Sequence, residues 1–245
     1  YLSVQGPIVK ETMGIGGTIF SDVVGQTRRN GFQASYAYHL KVSEDYKLSF
    51  ALSTGMLQFA IDGSKIDLDQ ANDIALSSGL MSLWSLDFGS GVRFSAKNWH
   101  AGIYVPQIAG LKAQFFNDYS ETESVLARHY YINGGYRYDF YDSWAIDANF
   151  LGKIVGSIDI YDTQVRGIYK DMVWLGSSIR YALVSGASVQ AIGFMTGYQF
   201  ENNLSIGYAY ELNVGKIGAA TSGSHEIVLG IRFNKPNKAP LIPAE

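Results

Sequence analysis

Apolar and polar residues alternate one by one in several segments of about ten residues in this chain. In residues 32–42, Phe32, Tyr36 and Leu40 belong to the mostly apolar even positions, while odd positions carry polar residues such as Gln33. The same alternation recurs in residues 130–140, 204–212 and 227–233. A period of two is typical of a β-strand with one face in an apolar medium and the other in water. The pattern predicts an all-β protein.

Less regular alternation adds eight strands, which brings the number of complete strands to about twelve. These eight are residues 12–22, 46–59, 86–96, 98–106, 144–154, 157–169, 172–183 and 187–200. The connections after even-numbered strands are short, at residues 43–45, 97–98, 141–143, 170–171 and 201–202. Longer connections are expected at residues 23–30, 60–85, 107–127 and 213–222, although those near Val155 and Ser185 are short.

Transmembrane barrels of the outer-membrane type have short periplasmic turns and longer extracellular loops. The turn pattern therefore predicts such an antiparallel barrel, with the final strand running toward the periplasm. Residues 1–5 alternate and stop at Gly6-Pro7, which we interpret as the end of a truncated strand. The full protein is then expected to have about 14 strands. We assign residues 1–233 to the barrel and residues 234–245, with three prolines, to a periplasmic tail.

A soluble β-sandwich or calycin-like barrel would show similar alternation. Aromatic residues distinguish the two, because they gather near the predicted strand ends on the apolar face, as membrane interfaces require. They are Tyr38, Trp99, Tyr138, Phe140, Trp144, Tyr210 and Phe233. No run approaches the ~20 apolar residues of a spanning helix, so the strands would cross the membrane. The expected location is the bacterial outer membrane.

Composition and charge argue against several kinds of function. The net charge is −3 and Arg28-Arg29 is the only adjacent basic pair, which argues against nucleic acid as a partner. The chain has no Cys, and none of its four histidines is clearly placed on the lipid-facing side with a serine, as a membrane-embedded hydrolase would need. The glycines of residues 14–17 and 89–91 lack the helix of a phosphate loop. We expect no enzyme activity, no metal site and no cofactor.

The predicted polar face carries charges of both signs. Its members are His39, Lys41, Asp87, Arg93, Arg137, Asp139, Asp147, Arg180, Glu211, Glu226 and Arg232. Such a mixture either forms an ion-pair network across the lumen or lines a pore. We favour the network, because confined charges are usually neutralised by partners.

The two longest connections offer area for a partner or a plug. Residues 60–84 are expected to be partly helical. Apolar residues interrupt the two polar connections at Ile66, Leu68, Ile74, Leu76, Phe115, Phe116 and Tyr119. Long loops with apolar anchors favour binding, and we take these seven residues as candidate contacts. Asp67, Asp69 and Asp73 lack the glycine and final glutamate of a calcium loop and are interpreted as a solvated acidic segment.

Several stretches resemble the PorP/SprF family of type IX secretion proteins. The closing residues 223–233 (GSHEIVLGIRF) carry the resemblance best. Six further stretches agree in order along the chain, namely residues 2–7, 14–17 with Asp22 and Gly25, 35–40, 87–91, 129–136 and 206–210. The resemblance implies an outer-membrane protein of gliding and secreting Bacteroidota that assists export or surface attachment of large adhesins.

Two functions follow as hypotheses. The first is a non-enzymatic barrel that binds the C-terminal region of a secreted adhesin and links it to periplasmic secretion or motor components, as the resemblance implies. The second is a passive porin or hydrophobic-ligand channel, which the barrel alone would permit. In either case the expected surroundings are outer-membrane lipid.

Overall fold

The computed structural model describes residues 1–9, 12–62, 80–109, 112–113, 124–125, 127–141, 143–183, 186–215 and 221–233. Fifteen strands lie in this part of the chain. They are β1 (Leu2–Val9), β2 (Met13–Val24), β3 (Thr27–Lys41), β4 (Lys47–Asp62), β5 (Leu80–Ser95), β6 (Trp99–Val105), β7 (Lys112–Ala113), β8 (Ser124–Val125), β9 (Tyr130–Phe140), β10 (Trp144–Val155), β11 (Ile158–Tyr169), β12 (Val173–Leu183), β13 (Ala187–Gln199), β14 (Leu204–Asn213) and β15 (Ser224–Ile231). No helix long and apolar enough to span a membrane occurs in the described ranges.

Thirteen strands form one sheet in chain order, and β7 and β8 form a separate short ladder. The predicted all-β class is confirmed, and each of the twelve expected strands has a counterpart. The first strand differs from the prediction, because it continues through Gly6 and Pro7 to Val9 instead of stopping at residue 5. Pro7 is tolerated because β1 has one neighbouring strand in the sheet, and an edge strand can accommodate a residue without an N–H.

The first unit comprises Tyr1–Ser95 and Gly102–Tyr130. Its strands β1 to β5 pair with antiparallel neighbours. In register, Ile19 lies opposite Phe32, Phe32 opposite Met56, and Met56 opposite Leu86. This row continues above and below as one apolar face, and the alternating positions form a polar face.

The connection between β2 and β3 corrects another expectation. Residues 23–30 were predicted as a long connection, but the two strands are joined by Gly25 and Gln26 alone. Gly25 has φ 58°, which suits a two-residue hairpin turn. The prediction was wrong because the apolar alternation fades at Arg28 and Arg29, although hydrogen-bonded pairing continues to Thr27.

The second unit comprises Ala96–Ala101 and Tyr131–Glu245. Strands β10 to β15 form consecutive antiparallel ladders, with one bulge between β12 and β13. One row of its apolar face runs in register across all six strands, through Trp144, Tyr169, Val173, Tyr198, Ile206 and Leu229. The row's aromatic members lie toward the short turns, as expected for a membrane interface.

Burial in both units is the reverse of a soluble protein. Large apolar side chains such as Leu52 (63%), Leu175 (68%) and Leu229 (74%) are exposed, and no large side chain of the described residues is fully buried. The buried apolar residues are mostly alanines, and Asp147 and Arg166 are buried with them. An apolar face on one side of the strands and a polar face on the other is the arrangement that a strand-built membrane protein requires. It argues against the soluble alternative.

Candidate functional site

A charge network occupies the polar face of the second unit. Asp162 on β11 lies directly opposite Arg180 on β12. Arg180 donates through Nε to Asp162 Oδ1 at 2.7 Å and through Nη1 to Glu211 Oε1 at 2.8 Å. Lys153 on β10 adds its ammonium, with Nζ 3.0 Å from Asp162 Oδ2. These four residues, which we call the four-charge cluster, neutralise one another and tie together β10, β11, β12 and β14.

Small residues on β13 let Arg180 reach across that strand to Glu211. Ala191 lies opposite Arg180 and is only 1% exposed, and Gly193 lies opposite Glu211. A side chain at Gly193 would collide with the Ser178 hydroxyl. The small side chains of β13 therefore leave space between β12 and β14. The long Arg180 side chain crosses this space and bridges two carboxylates on strands that are not neighbours.

A cavity of about 410 Å³ lies against this cluster. All four members of the cluster contribute to its lining, together with Gln164 and Glu226 among other residues. Glu226 is exposed and lies opposite Ala209 in register. The lining therefore holds two cations and three carboxylates. The cavity wall is mixed, because apolar residues such as Leu151 and Met195 line it together with these charges.

A second cluster is almost closed to solvent. Asp147 on β10 lies opposite Arg166 on β11, and Arg166 Nη2 donates to Asp147 Oδ2. Their side chains are 8% and 5% exposed. The Arg166 guanidinium also stands 5.6 Å from the centre of the Trp174 ring, a cation–π distance. A buried pair of this kind is costly to break, because the survivor is left as an uncompensated charge.

Glycines make the space for Trp174. A side chain at Gly197 would overlap the indole, and a Cβ at Gly207 would lie 3.2 Å from Trp174 Cζ2. The indole therefore packs closely over the backbone of β13 and β14. Glycines in barrel strands commonly mark such close packing.

The third cluster lies next to the short turns. Arg137 donates to Asp139 at 2.8 Å and to Asp171 at 2.6 Å. Asp171 and Lys170 form the turn between β11 and β12 with φ of 54° and 51°. The arginine thus fastens this turn to β9.

The polar face of the first unit carries hydrogen bonds between neutral side chains and one to a buried carboxylate. The Tyr104 hydroxyl lies 2.8 Å from Ser53 Oγ and accepts from Gln33 Nε2 at 3.3 Å. His39 Nδ1 lies 2.8 Å from Ser49 Oγ. Buried Asp87 accepts from the backbone N–H of Gln107 at 3.0 Å.

The structure brings some of the predicted charged residues together and leaves others apart. Arg180 meets Glu211, Arg137 meets Asp139, and Asp147 is paired with Arg166. By contrast, Lys41 lies opposite Lys47, and Arg232 lies beyond the end of β15, where its backbone N–H donates to Asn203. Arg93 lies opposite Ser49 in register and takes part in an interaction of its own. The candidate loop residues Ile66, Leu68, Ile74, Leu76, Phe115, Phe116 and Tyr119 lie outside the described residues.

Four residues of these ion pairs were not predicted from the sequence, namely Lys153, Asp162, Arg166 and Asp171. Period two could have found three of them. Lys153 shares the parity of Asp147 on β10, while Asp162 and Arg166 share one parity on β11. Asp171 lies in a turn, where alternation carries no information.

One histidine lies on the apolar face, where the sequence pattern did not clearly place any. His225 lies on the apolar face of β15, with Nδ1 2.7 Å from the Tyr208 hydroxyl and its ring 4.8 Å from the Tyr210 ring. Its partner is a phenol, whereas the hydrolase arrangement considered above needs a serine. The described ranges contain no group of three or more His, Asp or Glu side chains that could hold a metal ion.

The chain is similar to known proteins at two levels, a sequence family and solved structures. A family model described as "Type IX secretion system membrane protein PorP/SprF" matches residues 1–231. Among solved structures, the toluene transporter TbuX of Ralstonia pickettii is similar with 11% identity and a TM-score of 0.49, over 93% of this chain and 78% of that chain. No curated protein matches the chain.

Proposed function

The chain belongs to the PorP/SprF family of type IX secretion system membrane proteins, and from this membership we propose that it assists export or surface anchoring of a large secreted adhesin. It does so as a non-enzymatic barrel that binds the adhesin's C-terminal region. The family match over residues 1–231 carries the proposal, because it spans β1 to β15. The protein's location is the bacterial outer membrane, where its apolar strand faces meet lipid.

The charge arrangement supports a binding role over conduction. In the four-charge cluster, Arg180 and Lys153 are held by Asp162 and Glu211 at 2.7 to 3.0 Å. Selective pores commonly present rings of one sign of charge to the passing ion. A polar face on which opposite charges are fixed to one another favours a stiff wall instead.

We assign the adhesin to the side of the long connections, where residues 63–79 and 106–129 link strands. Their apolar residues, including Phe115 and Phe116, are the expected anchors. Periplasmic secretion or motor components contact the opposite side, at the short turns and the tail of residues 234–245. The protein contributes to gliding motility in cells whose movement depends on the exported adhesin.

A capture experiment tests this assignment. The purified barrel is immobilised and offered the C-terminal region of a type IX-secreted adhesin from the same organism. Wild-type protein and the F115S/F116S variant are compared, with V23S/V24S as a control that changes two adjacent exposed apolar residues at another turn. We expect wild type and control to retain the adhesin region and F115S/F116S to lose at least tenfold in affinity. Equal capture by all three proteins would contradict the loop assignment.

The porin alternative is separated by a second measurement on the same preparation. The purified barrel is inserted into a planar bilayer and its conductance recorded. The proposal expects no steady ion conductance. Passage of ions or small solutes together with no capture of the adhesin region would favour the passive channel and overturn the proposed function.

A further inference from the structure

A row of polar side chains crosses the apolar face of the first unit. Ser21 Oγ donates to Asn30 Oδ1 at 2.7 Å, and Asn30 Nδ2 donates to Gln58 Oε1 at 2.9 Å. Trp84 lies opposite Gln58 in register and is 52% exposed. We call Ser21, Asn30 and Gln58 the polar row. Because Gln58 accepts through Oε1, neither N–H group of its amide takes part in the hydrogen bonds of the row.

The polar row marks one boundary of the apolar band. On β3, the apolar face runs from Leu40, next to a short turn, through Tyr36 and Phe32 to Asn30. Ten residues at ~3.3 Å each, tilted by ~45°, give a height of about 23 Å. The apolar band of outer-membrane barrels is ~25 Å tall. The row therefore lies where hydrocarbon gives way to headgroups, at the end of the strands that carries the long connections of residues 63–79 and 106–129, which is the outer leaflet.

Arg28 lies just beyond this boundary on the same face. It is two residues from Asn30, exposed, and opposite Val23 and Ala60 in register. Within the described ranges the Arg28 guanidinium has no ion-pair or hydrogen-bond partner. Asp62, two residues beyond Ala60 on the same face, has an interaction of its own.

The neighbouring arginine points the other way. Arg29 lies opposite Asp22 and Phe59, and its guanidinium stands 5.4 Å from the centre of the Phe59 ring. Successive strand residues face opposite sides, so only one arginine of this pair can meet the headgroups. Arg29 can therefore serve as a matched control for Arg28.

We propose that Arg28 and the Gln58 amide form a binding site for a phosphate group of lipid A in the outer leaflet. A guanidinium presents parallel N–H donors that match two phosphate oxygens. The free Gln58 N–H groups lie on the membrane side of the arginine, which would hold the phosphate at the depth of the boundary. The Trp84 indole beside them suits the same interfacial level.

Native mass spectrometry of the detergent-solubilised protein tests the site. The probes are bisphosphorylated lipid A and the same lipid after removal of both phosphates. Wild type, Arg28→Gln and Arg29→Gln are titrated with each lipid. Because both variants remove one positive charge from adjacent positions, a difference between them reports the face of the sheet and not the net charge.

We expect wild type and Arg29→Gln to bind the phosphorylated lipid equally and Arg28→Gln to bind it about tenfold more weakly, the usual effect of losing a charge-assisted hydrogen bond. All three proteins should bind the phosphate-free lipid weakly and alike. Equal loss in both variants would overturn the site in favour of general charge attraction. Equal binding of the two lipids by wild type would also overturn it. A Gln58→Leu variant, which removes the amide but keeps the arginine, is expected to weaken binding two- to fivefold, and unchanged binding would remove Gln58 from the site.

Discussion

Replacing Arg166 by Met is the most informative perturbation of the polar face. The change removes the cation from a pair whose side chains are 5% and 8% exposed and leaves the Asp147 carboxylate without its partner. Removing one member of a buried ion pair typically costs about 3–5 kcal/mol. Loss of the contact with the Trp174 ring adds about 2 kcal/mol, because the guanidinium is desolvated. We therefore expect R166M to be among the most destabilising single substitutions of this sheet.

A matched control separates burial from charge. Lys153→Met also removes one cation paired with one aspartate, but Lys153 is 36% exposed and Arg180 still holds Asp162. Partly exposed pairs contribute about 1 kcal/mol or less. K153M should thus cost no more than about 1 kcal/mol. The double variant D147N/R166M should be more stable than R166M alone, because the uncompensated carboxylate is gone.

The free energy of unfolding is measured by guanidinium titration in phospholipid vesicles, followed by tryptophan fluorescence. The expected order of stability is wild type, K153M, D147N/R166M and R166M. Equal destabilisation by R166M and K153M would refute the reasoning, since burial would then have no effect on the cost. A double variant less stable than R166M would refute the claim that the unpaired Asp147 carboxylate is the cause.

Two further predictions concern packing and neutral hydrogen bonds. Gly197→Ala should lower the free energy of unfolding by about 1–3 kcal/mol and shift the tryptophan emission, because the new methyl group must displace Trp174. Gly17→Ala is the control and should change neither quantity, since the nearest atom to its new methyl group would lie 3.9 Å away. An unshifted spectrum for Gly197→Ala would contradict the close packing. Tyr104→Phe should lower the free energy of unfolding by about 1 kcal/mol, because Ser53 loses its hydroxyl partner at 2.8 Å, and an unchanged chemical denaturation midpoint would count against that bond.

The strands were largely predictable from the sequence because lipid on one face and polar groups on the other impose a strict period of two. Strand β9, for example, runs from Tyr130 to Phe140 as expected. The period fails where the membrane ends. Arg28 and Arg29 continue β3 beyond the apolar band, and there hydrogen-bond pairing alone maintains the strand, so the sequence suggested a loop.

The ion pairs were predictable only in part. Alternation places Arg180 and Glu211 on the polar face, but the pairing depends on register and on the small residues of the strand between them. Asp162 meets Arg180 because the two are opposite in register, and Glu211 meets it because Ala191 and Gly193 leave room. A turn residue such as Asp171 has no periodic signal, and only the fold brings it to Arg137.

The central claim is tested most directly in the living cell. A strain that lacks this protein is compared with the wild type and with a complemented strain, and the amount of the type IX-secreted adhesin on the cell surface is measured by antibody labelling of intact cells. We predict that surface adhesin is lost in the deletion strain, with the adhesin retained in the periplasm, and is restored by complementation. Wild-type amounts of surface-anchored adhesin in the deletion strain would contradict the proposed function.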